Sequence, residues 1–201
     1  RMTISLKFSP KIIIVGVLLL IYPLVVTPFW AVQIGANAMI LGMIALTIVF
    51  LAGYGGMISL AQVTVAGVAG YSVAYFGINN VGVGILLPWP VGVLIGLALG
   101  TFAGFLIGLI SVRTQGIYML MITLALSVVF FYFARQNYTL FNGFTGFNGV
   151  LAPVVGGGDL RGPVVFYYLC LVTAGLSYGF VKYIERSPFG LALQGIRDNE
   201  R

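Results

Sequence analysis

Polar side chains are scarce in this 201-residue sequence, so those able to do chemistry can be taken one by one. There is no histidine, which removes imidazole metal ligands, histidine-based catalytic triads and histidine proton relays together. The single cysteine, Cys170, sits in an apolar run and reads as a small packing residue, with no second thiol to form an intramolecular disulfide. The four acids, Asp159, Glu185, Asp198 and Glu200, all lie beyond residue 158. Proton- or sodium-coupled carriers often place such groups inside the membrane, and that machinery is missing here. Ser59, Ser72 and Ser127 have no visible basic partner to activate them as nucleophiles. No G-x-x-x-x-G-K-[ST] phosphate loop occurs, so ATP is not hydrolysed by that route. The expectation is no catalytic residue, no metal and no cofactor.

The remaining chemistry is contact with a solute through backbone and uncharged polar groups, and one segment concentrates these. Gly53, Tyr54, Gly55, Gly56, Met57, Ile58, Ser59, Leu60, Ala61 and Gln62 place three glycines and two polar side chains between apolar stretches. Backbone that leaves the helix at membrane depth must be buried in protein or line a wet cavity, and broken helices of this kind form solute sites in many transporters. The same glycines also suit a short cytoplasmic turn with close packing behind it. For Ser59 and Gln62 a pathway or interface role is expected, because a glutamine facing lipid is costly.

The elements that position these residues follow from hydropathy. The chain is 60% hydrophobic and 7% charged, with a mean hydropathy of +1.10, against roughly 25% charged residues in soluble domains. Between Lys11 and Arg113 there is no charge, room for several spans of about 20 residues. Two more uncharged stretches follow, Arg113 to Arg135 and Arg161 to Lys182. The fold class expected is all-α, a polytopic transmembrane helical bundle of about six spans near 12–30, 33–52, 58–77, 86–110, 115–134 and 163–184. A glycine-rich broken or re-entrant segment is expected near 53–62. A β-barrel would alternate with period two, and no such alternation occurs. The first apolar run lacks a small-residue cleavage site, so it reads as an uncleaved helix. With the N-terminus cytoplasmic, six spans put Arg1, Lys7, Lys11, Arg113, Lys182, Arg186, Arg197 and Arg201 inside, and only Arg135 and Arg161 outside. Both termini are therefore expected in the cytoplasm. The net charge of +6 is a topological signal, with no nucleic acid partner.

In the fourth expected span Gly92, Gly96, Gly100, Gly104 and Gly108 recur at a strict spacing of four. On a helix they form one groove that lets another backbone approach, the small-xxx-small pattern of membrane packing. The external connection from Asn142 to Asp159, rich in glycine, suits either a docking surface or a flexible loop. The charge-dense stretch from Glu185 to Arg201 starts with a Ser187-Pro188 helix signal. It reads as a short amphipathic helix docking on a soluble partner or as a solvated tail.

Four stretches resemble the permease subunits of bacterial branched-chain amino acid ABC transporters, of the LivM-type family. GYGGMISLAQVTVAGVAGYSVAYF (Gly53–Phe76) resembles the family's Gly-Tyr-x-Gly, Ser-Leu-Gly-His and Gly-x-Gly-Ala-Tyr pattern. RTQGIYMLMITLALS (Arg113–Ser127) is similar to its Arg-x-x-Gly-x-Tyr-Phe-x-x-x-Thr-Leu run. TGFNGV (Thr145–Val150) resembles its Thr-Gly-Gly-x-x-Gly external motif. SPFGLALQGIRDNER (Ser187–Arg201) is similar to Ser-x-Phe-Gly-Arg-Ala-x-x-Ala-Ile-Arg-Glu-Asn-Glu. Their shared order covers most of the chain. Gln62 replaces a common histidine, Ala61 a usual glycine and Leu191 a usual arginine. Family chains continue past the position of Arg201, so a fragment is expected.

The resemblance implies a transport subunit, not an enzyme, in the bacterial inner membrane. It would pair with a related permease, two cytoplasmic ATPase subunits and a periplasmic solute-binding protein to import branched-chain, hydrophobic amino acids. Residues 1–184 would form the permease domain, and 185–201 would begin the ATPase-coupling segment. Gly55, Gly56, Ser59 and Gln62 are then pathway candidates, and Gly190, Arg197, Asp198 and Glu200 coupling candidates. A permease for urea or short amides, or a self-sufficient passive channel, is the alternative.

Overall fold

The computed structural model describes residues 10–79, 82, 84–114, 116–147, 149–150, 154–155, 158–159 and 162–198. Among them the chain is helical almost throughout. Helix α1 is Pro10–Val25, α2 Pro28–Trp30, α3 Asn37–Gly55, α4 Gln62–Phe76, α5 Trp89–Ser111, α6 Ile117–Gln136, α7 Tyr138–Phe141, α8 Pro163–Glu185 and α9 Pro188–Asp198. A π-helical turn, Ala31–Ala36, joins α2 to α3, making Pro28–Gly55 one continuous rod. A 3-10 turn at Gly143–Thr145 and an antiparallel pairing of Val154–Val155 with Gly158–Asp159 complete the regular structure among the described residues. The fold is an all-α membrane bundle. Four stretches, Pro28–Gly55, Trp89–Ser111, Ile117–Gln136 and Pro163–Glu185, are long and apolar enough to cross a bilayer. Helices α1 and α4 are shorter, at 16 and 15 residues.

The described chain divides into two compact units. The first comprises Arg1–Met43 with Val154–Gly179, and proline sets its local geometry. Pro28 disfavours helical backbone at the preceding residue, and Thr27 is accordingly extended (φ −61°, ψ 152°). The first helix therefore stops at Val25, short of the expected residue 30. Pro23, inside α1, has no N–H to give the carbonyl four residues earlier, that of Leu19. The Tyr167 hydroxyl donates to that carbonyl at 2.8 Å, and the Tyr168 hydroxyl donates to the Leu20 carbonyl at 2.9 Å. Tyr167 is fully buried, its ring 5.7 Å from that of Tyr22. Gly35 lies beneath both rings, and a Cβ there would meet Tyr167 Cε2 at 2.6 Å and Tyr22 Cε1 at 2.9 Å. In the π turn the Asn37 N–H reaches back to the Val32 carbonyl, while the Asn37 side chain donates to the Gln33 carbonyl at 2.9 Å.

The second unit comprises Ile44–Pro153 with Phe180–Arg201. Its tightest seam joins α4 to α5. A Cβ on Gly92 would sit 3.4 Å from the Phe76 carbonyl oxygen, and one on Gly96 would meet Val73 Cγ2 and lie 3.1 Å from the Ala69 oxygen. On Gly100 it would come within 2.9 Å of Ala69 Cβ, and on Gly104 it would lie an ordinary 3.7 Å from Val65. Gly108 faces open space among the described residues. The contact is thus closest in the middle of the glycine row and fades towards the end of α5. Asn79 closes the connection that follows α4, its side chain donating to the Ala74 carbonyl and accepting from the Gly82 N–H. Away from such seams, large apolar side chains face outward, among them Leu94, Phe102, Ile117 and Val129. Lipid satisfies such surfaces.

Candidate functional site

Helix α3 ends at Gly55, and Gly56 follows in the left-handed region at φ +67°. Only glycine takes that conformation without a Cβ penalty. The Met57 N–H then closes on the Leu51 carbonyl at 3.3 Å, and 56–60 run outside any helix. Helix α4 starts at Gln62, later than the expected residue 58. The backbone exposed by this break is served from α6. The Leu60 N–H donates to Thr123 Oγ1 at 3.3 Å, and Ser127 Oγ donates to the Leu60 carbonyl at 3.4 Å. Two hydroxyls one helical turn apart thus satisfy both polar groups of one residue where lipid could satisfy neither. Thr123 is fully buried.

Ser59 is buried and turned inward, its Oγ accepting the Ala61 N–H at 3.3 Å. Its hydroxyl stabilises the break. Gln62 differs: its side-chain Oε1 is buried with no hydrogen-bond partner. A buried acceptor left unmade costs about 1–3 kcal/mol.

The C-terminal segment folds over the same break. Ser187 Oγ accepts the Gly190 N–H at 3.3 Å and Pro188 opens α9, so serine caps and proline occupies the first turn. The α8–α9 turn is tight. A Cβ on Gly190 would lie 2.8 Å from the Glu185 carbonyl oxygen and closer still to that of Ile184. Lys182 Nζ donates to Glu185 Oε2 at 2.7 Å, and the Tyr54 side chain also hydrogen-bonds to Glu185. From α9, Arg197 donates through a guanidinium nitrogen to the Gly53 carbonyl. Its stem crosses Gly56, where a Cβ would lie 2.8 Å from Arg197 Cγ, and Leu193 Cδ2 lies 3.6 Å from a Cβ placed on Gly55. Asp198 is the last residue of α9, and Glu200 lies outside the described residues.

Two pathway candidates therefore lie against α9: Gly55 beside Leu193, and Gly56 beside the coupling candidate Arg197. Glycine at these positions lets α9 approach the end of α3, and the cation meets carbonyls left unpaired at a helix C-terminus. Ser59 and Gln62 occupy the same break. The row from Gly92 to Gly104 works elsewhere, along the α4–α5 seam.

A second feature is a cleft of about 420 Å³ on the opposite flank of α4. Val63, Thr64, Gly67 and Tyr71 of α4 line one side, and Ser127, Phe130, Phe131, Ala134 and Arg135 of α6 the other, with Gly143 and Phe144 at the end. The Tyr71 ring packs edge-on against Phe141 at 5.1 Å and lies within 6.5 Å of Phe130. The Arg135 guanidinium sits 4.3 Å over the Phe144 ring and 5.8 Å from that of Phe131. In the sequence Arg135 reads only as a topological charge and Thr123 only as part of a motif. The usable signal was the spacing: Thr123 and Ser127 share a face of α6, and Phe131 and Arg135 continue it.

Among known protein families, the model described as branched-chain amino acid transport system / permease component matches residues 30–201. No curated protein and no solved structure matches the chain.

Proposed function

We infer the function from the chain's family: it belongs to the permease components of branched-chain amino acid transport systems. It is a multi-pass membrane protein and a transport subunit. From this premise we propose that it forms, with a second permease, the solute pathway of an ATP-driven importer for branched-chain, hydrophobic amino acids. Two ATPase subunits bind its cytoplasmic face, and a periplasmic binding protein delivers the solute. The membrane is the bacterial inner membrane, with both termini cytoplasmic. Residues 1–184 make up the permease domain, and 185–201 begin the coupling segment, with Gly190, Arg197, Asp198 and Glu200 in or beside the ATPase contact.

The observation that supports this reading best is the seating of α9 on the break, through Arg197 to the Gly53 carbonyl and across Gly56. An amphipathic helix at the membrane surface that grips a broken helix is suited to pass motion from a cytoplasmic motor to the pathway. Gly55 and Gly56 allow the approach, Ser59 holds the break's shape, and Gln62 offers an unpaired acceptor to the solute or to the second permease.

The test is a mild-detergent pull-down of the tagged native protein, with bound partners identified by mass and assayed for ATP hydrolysis. A co-purifying ATPase and a second permease support the importer. A chain that purifies alone and passes solute in liposomes without ATP is a channel, and the reading is then wrong.

A further inference from the structure

The cleft beside α4 combines an apolar, aromatic lining with a single cation. Its volume of about 420 Å³ falls in the roughly 300–1,000 Å³ range of small-molecule sites. The walls are aromatic, from Tyr71, Phe130, Phe131 and Phe144, with hydroxyls only from Thr64, Ser127 and Tyr71. Its one charged lining residue is Arg135.

That arginine is held without being neutralised. Its guanidinium lies over Phe144 at 4.3 Å, and stacking of this kind engages the face of the ion, leaving its in-plane N–H donors available. No hydrogen bond or ion pair to Arg135 occurs among the described residues. A rigid fork of donors at the edge of an apolar cleft matches a carboxylate in two-point geometry. Arg135 and Phe144 also line a second hollow of about 280 Å³, with Tyr132, Gln136 and Tyr138. The same pair therefore stands at both hollows. Ser127 lies eight residues earlier on α6, about 12 Å away at 1.5 Å per residue. A small zwitterion cannot span that distance, so carboxylate capture and the deeper hydroxyls are successive contacts.

We propose that Arg135, stacked on Phe144, binds the carboxylate of the transported amino acid while its aliphatic side chain enters the aromatic cleft between α4 and α6. This rests on the importer reading above and names the recognition element within it. The cation makes the cleft selective for amino acids over urea and short amides, which carry no negative charge.

The experiment uses the intact transporter with its binding protein in proteoliposomes, with Cys170 replaced by alanine and Gln136→Cys, exposed beside Arg135 in the adjoining hollow, as a reporter. Labelling by a water-soluble maleimide is timed with and without leucine, alongside ATP-driven leucine uptake. With Arg135 present, leucine slows labelling and urea does not. Arg135→Gln abolishes the protection and lowers uptake on the order of tenfold or more, while Arg135→Lys, which keeps the charge but loses the fork, falls between. Pull-down of partners by each variant separates lost recognition from lost assembly. Should Arg135→Gln fail to assemble, Phe144→Leu, which removes only the stacking surface, is expected to weaken leucine protection in its place. Leucine protection and uptake within twofold of the parent in Arg135→Gln, or in Phe144→Leu where that variant stands in, overturn the proposal and leave the importer intact. If the parent shows no ATP-dependent leucine uptake at all, the importer reading itself fails and this site falls with it.

Discussion

The Arg197 guanidinium donates to the Gly53 carbonyl across 144 residues of sequence. Gly53 lies in the last turn of α3, where carbonyls have no helical N–H to accept from, so a cation carried by one helix caps another. Any displacement of α9 must either break this bond or carry the end of α3 with it. That makes the pair a mechanical link between the terminal helix and the break at 56–60.

Removing the link is expected to uncouple hydrolysis from transport. Arg197→Ala leaves the Gly53 carbonyl to water, a loss of up to about 1 kcal/mol at this exposed site. Gly56→Ala adds a Cβ at φ +67° and 2.8 Å from Arg197 Cγ, with a conformational penalty of roughly 1–2 kcal/mol. Gly56→Ala should retain bound ATPase and its activity while solute uptake falls, and Arg197→Ala should lose more uptake than any loss of bound ATPase accounts for. The ratio of ATP hydrolysed to leucine imported, measured in proteoliposomes, decides it, and an unchanged ratio in both variants removes the mechanical role.

The glycine row of α5 should respond unevenly to alanine. A Cβ at Gly96 or Gly100 meets Ala69 and Val73 at distances that force a shift, and such overpacking costs about 1–3 kcal/mol. At Gly108 the space is open, and alanine gains up to about 1 kcal/mol of helix propensity. Thermal unfolding in detergent should fall for Gly96→Ala and Gly100→Ala and hold or rise for Gly108→Ala. Equal behaviour at all three positions would remove the graded seam.

Much of this was legible beforehand because bilayers impose simple rules. Apolar length gave the all-α bundle, and the spacing of Gly92 to Gly104 marked the face that packs on α4, whereas Gly108 in the same row faces open space. Contacts between distant residues were less visible. Nothing in the sequence pairs Arg197 with Gly53, since a basic residue in a tail reads as solvated until the fold brings it to a helix end. Arg135 was hidden likewise, because its partners Phe131 and Phe144 are ordinary aromatics in an aromatic-rich chain. The boundary at Thr27 was readable and was missed: Pro28 outweighs the apolar run through Trp30.

The hydroxyls of α6 should prove structural supports of the break. Thr123→Val keeps shape but removes the acceptor for the Leu60 N–H, an expected loss of about 1–3 kcal/mol for a buried unpaired donor. Thr123→Ser should restore most of it. Ser127→Ala, which loses a longer 3.4 Å contact to the Leu60 carbonyl, should lose less. Hydrogen exchange at the Leu60 amide, followed by mass spectrometry of the 56–62 segment, reads this directly. Exchange in Thr123→Val no faster than in the parent contradicts the support.

Finally, the bond from Tyr167 to Leu19 should matter only while Pro23 is present. Proline withholds the N–H that would otherwise satisfy the Leu19 carbonyl, and the Tyr167 hydroxyl replaces it at 2.8 Å. Tyr167→Phe alone is therefore expected to lower stability by about 1 kcal/mol, the net value of a typical internal hydrogen bond. In a Pro23→Ala background the helix can supply its own donor to Leu19, so the same substitution should cost clearly less. A double-mutant cycle on thermal unfolding in detergent gives the coupling between the two positions. A coupling energy near zero would mean that the tyrosine is held by packing against Gly35 and Tyr22 alone, and that the carbonyl freed by proline is served by other means.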